Sequence, residues 1–102
     1  MIHYVVMLYR RPELSQEQFE SAWIGEHLQL ARALPGLVAA EFLPRAQTGH
    51  GDTGPHGVGR LIFESVQSLE FALGTPAAAE LREHTATFAD SDAAIRMIAR
   101  EP

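Results

Sequence analysis

One stretch, residues 15–36, constrains this chain more than any other. Ser15 followed three residues later by Gln18 is a capping-box signature, a hydroxyl and an amide poised to satisfy each other's backbone N–H groups at a helix start. Apolar residues then recur at Phe19, Ala22, Trp23, Leu30, Ala33 and Leu34, the three- and four-residue steps of one helix face. Pro35-Gly36 ends the run, because proline lacks the N–H a helix needs and glycine accepts the turn that follows. Glu26 and His27 fill the gap in the stripe, so a titratable ring sits where the helix should meet its core. A secondary edge of Ile24, Leu28 and Ala31 flanks the stripe and is expected to meet another part of an assembly.

The remaining elements organise around that helix. Residues 2–9 are β-branched and aromatic and read as a strand, closed by Arg10-Arg11-Pro12. A second strand is expected over residues 37–43, interrupted by Pro44, and a third over 58–64. Between them, residues 46–57 are glycine-rich and without periodicity, the pattern of a long loop that can serve as a lid. Ser65 caps a short helix carrying Leu69, Ala72 and Leu73, and Gly74-Thr75-Pro76 breaks it before a second helical piece over 76–84. Asp90-Ser91-Asp92 is a turn before a last strand over 94–99. This order predicts an α+β, ferredoxin-like split βαβ domain spanning residues 1–102, a four-stranded antiparallel sheet with its helices on one face.

Strand one is apolar on both alternating faces, His3-Val5-Met7-Tyr9 and Ile2-Tyr4-Val6-Leu8, and strand three repeats this with Leu61 and Phe63 against Val58 and Ile62. Helices on one side leave the other side bare, so a homodimer packed through its sheet faces is expected. The formal charge of −5, with 13 acidic against 8 basic residues, argues against nucleic acid and against an anionic membrane surface. No run is long enough to span a bilayer and none reads as a signal peptide. With no cysteine there is neither disulfide nor thiolate chemistry, and a cytoplasmic protein is expected.

The exit from strand one with Arg11-Pro12, then Phe19, Trp23, His27 and Leu34-Pro35-Gly36, followed by Phe63, Ser65, Phe71, Phe88 and Asp90, resembles the EthD family within the dimeric α+β barrel group. The resemblance covers nearly the whole chain and implies the dimeric barrel architecture more firmly than any activity. Enzymes of the group that share the helix histidine and the Pro-Gly stop include methylmuconolactone isomerising enzymes, which bind a small lactone between sheet and helices. The group also holds polyketide cyclases and cofactor-free monooxygenases. Where many EthD-like sequences carry an acidic residue four positions before the tail phenylalanine, this chain has His84, so a role for that carboxylate would pass to an imidazole or be dropped.

The residues themselves nominate a small set for chemistry. His27 is the candidate acid/base, since an imidazole titrates near neutrality and burial tunes it; the plain alternative is a core histidine bonded to a carbonyl. His84 is the second polar candidate, against the alternative of a cation near a helix C-terminus. Trp23 and Phe88 are candidate walls for an aromatic or lactone ring, against simple core packing. Arg60 is a candidate carboxylate binder, against a salt bridge to Glu41 or another strand carboxylate. Tyr4 and Tyr9 lie on opposite faces of their strand, so at most one hydroxyl reaches a cleft, and His3 shares that ambiguity. His50, Asp52 and His56 have metal-ligating atoms without a rigid spacing, so no metal is expected. Without GxGxxG, P-loop or GxSxG patterns, no nucleotide cofactor or serine-hydrolase chemistry is expected. The expected function is therefore a cofactor-independent isomerase, cyclase or lyase acting on a compact hydrophobic or aromatic metabolite. The alternatives are a non-catalytic ligand binder and a cofactor-free monooxygenase.

Overall fold

The computed structural model describes residues 1–47, 49–51 and 54–102, so the loop residue Asp52 lies outside what is described. Ile2–Leu8 forms strand β1, Ala39–Pro44 β2, Gly57–Phe63 β3 and Ile95–Arg100 β4. They pair antiparallel in the order β2-β3-β1-β4, the arrangement of a ferredoxin-like α+β fold. Helices run over Gln16–Glu20 (α1), Leu28–Arg32 (α2), Val66–Leu73 (α3) and Pro76–Phe88 (α4), with a π-helical segment, Ser21–His27, joining α1 to α2. Among the described residues, no helix is long and apolar enough to cross a membrane.

Local chemistry explains the helix boundaries. The capping box forms as expected, with the Gln18 N–H donating to Ser15 Oγ at 3.1 Å and the Ser15 N–H to Gln18 Oε1 at 2.8 Å. Ser65 Oγ accepts from the Ser68 N–H, and Thr75 caps α4 with Pro76 in its first turn. Gly36 takes φ 78°, in the left-handed region where a side chain is disfavoured, and turns the chain out of α2 toward β2. The last helix continues to Phe88, a full turn beyond the expected 76–84, so His84 lies within it and not at its end.

The π-helical segment changes which side chains face inward. Phe19, Trp23, His27 and Ala31 are four residues apart and all buried. Three such steps would drift by about 120° around a regular α-helix. Bonds of the i→i+5 type, such as the Leu28 N–H to the Trp23 carbonyl, absorb that drift. The inner face therefore runs Phe19, Trp23, His27, Ala31, Leu34, while Ala22 and Leu30 are half-buried and Ala33 is exposed. Ala31, expected on the outer flank with Ile24 and Leu28, is instead fully buried; Ile24 stays exposed and Leu28 half-buried.

Register decides the two faces of the sheet. Ile2, Tyr4, Val6 and Leu8 oppose Phe63, Leu61, Gly59 and Gly57 on the helix side. They feed two separate apolar clusters, one built on Leu34, Leu61, Phe63 and Leu69, the other on Leu8, Phe19, Trp23 and Phe88. The opposite face carries His3, Val5 and Met7 with Val58, Arg60 and Ile62 of β3, and among the described residues no helix lies over it. At its margins Leu43, Ile95 and Met97 are exposed.

Candidate functional site

The two core clusters are distinct, with the half-buried Phe42 packed against both. Between them lies a cleft of about 430 Å³ bounded by β1 and β3 below and by the π-helical segment and α4 above. β3 makes the room by placing Gly57 and Gly59 on the helix side, where side chains would otherwise stand. The Trp23 indole fills part of that space so tightly that a Cβ on Gly57 would come within 2.2 Å of Cζ3. Trp23 also stacks on Phe42, with centroids 4.8 Å apart and planes 14° from parallel, so the pair forms a flat aromatic wall. Leu61, Leu73, Ala78 and Leu81 supply aliphatic surface opposite.

His27 lines the cleft and is only 6% exposed. Burial, and then the neighbouring His84, lower its pKa from 6.5 to about 4, so the ring is neutral near pH 7. Its Nδ1 lies 3.0 Å from Nδ1 of His84, with the rings stacked at 5.2 Å. On the far side of His84, Glu26 Oε2 lies 3.2 Å from Nε2. The carboxylate accepts from an Nε2–H on His84, and in the tautomer that carries its one ring proton there His84 Nδ1 is an acceptor. His27 then donates from Nδ1, and its Nε2, bonded to no described residue, keeps a free lone pair. A neutral imidazole with a free Nε2 in an apolar cleft is a proton acceptor; the carboxylate and second imidazole behind it can stabilise the charge that develops.

The structure brings together some of the sequence candidates and separates others. Trp23, His27 and Tyr4 line the cleft, and His84 touches it through His27. Phe88 does not line it: the ring is buried behind the histidines, 5.1 Å from His27 and 5.5 Å from Phe19, because the lengthened α4 carries it into the core. Arg60 faces away from the cleft on the bare side of the sheet, ion-paired with Glu41, and cannot reach a ligand there. His3 shares that bare side and bonds Glu101 at 2.9 Å. Tyr9 packs edge-on against His56, whose Nδ1 accepts from the Arg10 N–H.

The described loop residues pack against α1, through Gln16 Nε2 to the His56 carbonyl and Arg45 to Glu20, and none lines the cleft. Among the described residues no group of three or more His, Asp or Glu side chains is placed to hold a metal. Sequence reasoning missed Phe42, although Ala40-Phe42-Pro44 alternate along β2, and it gave Glu26 no role. It also missed Arg82 and Arg96, both on the cleft wall. No local pattern distinguishes either from an ordinary surface arginine.

With this geometry in hand, comparison places the chain among known proteins. The EthD domain model matches residues 11–92. No curated protein sequence matches the chain. An EthD family protein from Bacillus halodurans superposes with a TM-score of 0.82 at 22% identity, covering 100% of both chains. A dimeric ferredoxin-like protein of unknown function from Jannaschia gives 0.75 at 16% identity, covering 98% of each. The cofactor-independent oxygenase SnoaB from Streptomyces nogalater gives 0.67 at 14% identity, over 99% of this chain and 94% of that one. At these identities the structural likenesses establish the shared fold.

Proposed function

The chain belongs to the EthD family, and from that premise we propose that it binds a compact hydrophobic or aromatic metabolite in the cleft and moves a proton on it with His27. The observation that carries this reading is the buried, neutral His27 on the wall of an apolar cavity, backed by His84 and Glu26. In the first step His27 Nε2 takes a proton from a carbon beside a carbonyl, and the electron pair moves onto the carbonyl oxygen as an enolate. The imidazolium then returns the proton at the same carbon or a conjugated one, giving isomerisation, or hands it to the leaving oxygen when the enolate expels that oxygen and a lactone ring opens. Tyr4, on the cleft side of β1, supplies a hydroxyl. Trp23 and Phe42 hold the ring of the ligand flat.

The working unit in this proposal is a cytoplasmic homodimer joined through the bare sheet faces. Support comes from the apolar residues of that face, from the dimeric Jannaschia protein of the same fold, and from a cysteine-free composition suited to a reducing compartment.

The test is hydrogen exchange in D2O, followed by NMR on a panel of small unsaturated lactones and cyclic ketones. The expected result is exchange at the carbon beside the carbonyl, lost in His27→Asn while ligand affinity is kept. Binding with no exchange of any compound would refute the catalytic step and leave a ligand-binding protein. Oxygen uptake with a hydroquinone-type compound would point instead to the chemistry for which SnoaB is named.

A further inference from the structure

The charge on the cleft wall is opposite to that of the chain. The protein carries −5 overall, yet among the described residues no aspartate or glutamate lines the cleft, while two arginines do. Arg82 stands on α4, three residues before Thr85 of the same wall, and spends Nη1 on the Leu73 carbonyl at 3.3 Å, and the rest of its fork has no partner among the described residues. Arg96 stands on β4 opposite Val6, on the helix side of the sheet, and its guanidinium has no partner among the described residues. Both side chains are exposed, which puts them at the cleft mouth with the aromatic wall deeper in, and the Ser91 hydroxyl lies on the same lining. Of the other six arginines, three are ion-paired among the described residues: Arg11 with Glu13, Arg45 with Glu20 and Arg60 with Glu41.

We propose that the cleft selects ligands bearing a carboxylate, held at the mouth by Arg82 and Arg96 while the ring lies on Trp23 and Phe42. Guanidinium forks match carboxylates geometrically, and charge-assisted hydrogen bonds are about twice as strong as neutral ones. A neutral His27 cannot serve as the counter-ion, so recognition and proton transfer fall to different residues. The proposal shares the cleft with the proposed function but does not need the chemical step.

The experiment is titration calorimetry with 2-naphthoate and its neutral counterpart 2-naphthamide, on the full chain at low and high salt. We expect the acid to bind at least roughly tenfold tighter than the amide, about the value of one good charge-assisted contact. Added salt should narrow the gap. Replacing both Arg82→Gln and Arg96→Gln should erase it while leaving amide affinity within roughly twofold. Arg32→Gln, on the exposed side of α2, should leave both affinities unchanged. His27→Asn should keep the preference. Equal affinity of the wild-type protein for acid and amide, or a preference that survives in the double variant, would overturn the proposal. Failure of both probes to bind would overturn the cleft as a ligand site, and the proposed function with it. Retained acid preference without any hydrogen exchange upholds carboxylate selection and refutes proton transfer alone.

Discussion

Acidification should unfold this protein through His27 in a measurable way. The ring is held neutral in the native state down to a pKa of about 4, first by burial and then by His84, while in the unfolded chain it regains an ordinary value near 6.5. Above pH 6.5 neither state carries the proton and the contribution is constant. Between pH 6.5 and about 4 the unfolded chain binds a proton that the native state refuses, so stability falls as pH falls. At about 1.4 kcal/mol per tenfold change, the loss attributable to His27 is roughly 3 kcal/mol by pH 4. The measurement is urea unfolding across that range at fixed protein concentration, because dimer association would add its own concentration dependence. His56, lowered by its own burial and then by Arg10, adds a slope of the same sign. The wild-type curve is therefore compared with that of His27→Gln, which removes only the His27 part. The variant should be less pH-dependent than wild type by roughly 3 kcal/mol, and NMR should place the wild-type ring's titration near pH 4. Parallel curves for the two proteins, or a His27 midpoint at its ordinary value, would refute the account of the dyad.

Three further outcomes follow from the packing. Gly57→Ala drives a Cβ to 2.2 Å from Trp23 Cζ3 and 2.6 Å from Cε3, both on a fully buried ring, so it should cost about 1–3 kcal/mol in urea unfolding; a negligible change would mean the indole can move aside freely. Glu26→Gln alters an exposed carboxylate and should change stability by less than about 1 kcal/mol. It should nonetheless shift the tautomer balance of His84 and His27 in nitrogen-15 spectra, and unchanged spectra would disconnect Glu26 from the pair. Met97→Lys places a charge on the bare sheet face beside Val5 and should weaken self-association in sedimentation by at least roughly tenfold while the far-ultraviolet spectrum stays native; an unaltered dimer would locate the interface elsewhere.

Local chemistry in the amino-acid sequence was enough to determine the elements and their order. The Ser15 and Ser65 caps, the Pro35-Gly36 stop and the alternation in β1 are short-range patterns, and each acts within a few residues of where it is written. The same patterns expose His27 as a titratable group on an inward face and strand one as apolar on both sides. Arrangements that depend on the path of the chain were decided only by the tertiary structure. The π-helical segment moved the inner face from Ala33 to Ala31, because i→i+5 bonding keeps Trp23, His27 and the sheet in contact where a regular period would drift away. Sheet register sent Tyr4 into the cleft and Arg60 and His3 to the other side, a choice that a period-two pattern apolar on both faces leaves open. The His27–His84 contact spans 57 residues, and the mouth arginines come from α4 and β4. No spacing along the chain encodes such meetings; they arise because α4 packs beside the π-helical segment and β4 pairs with β1.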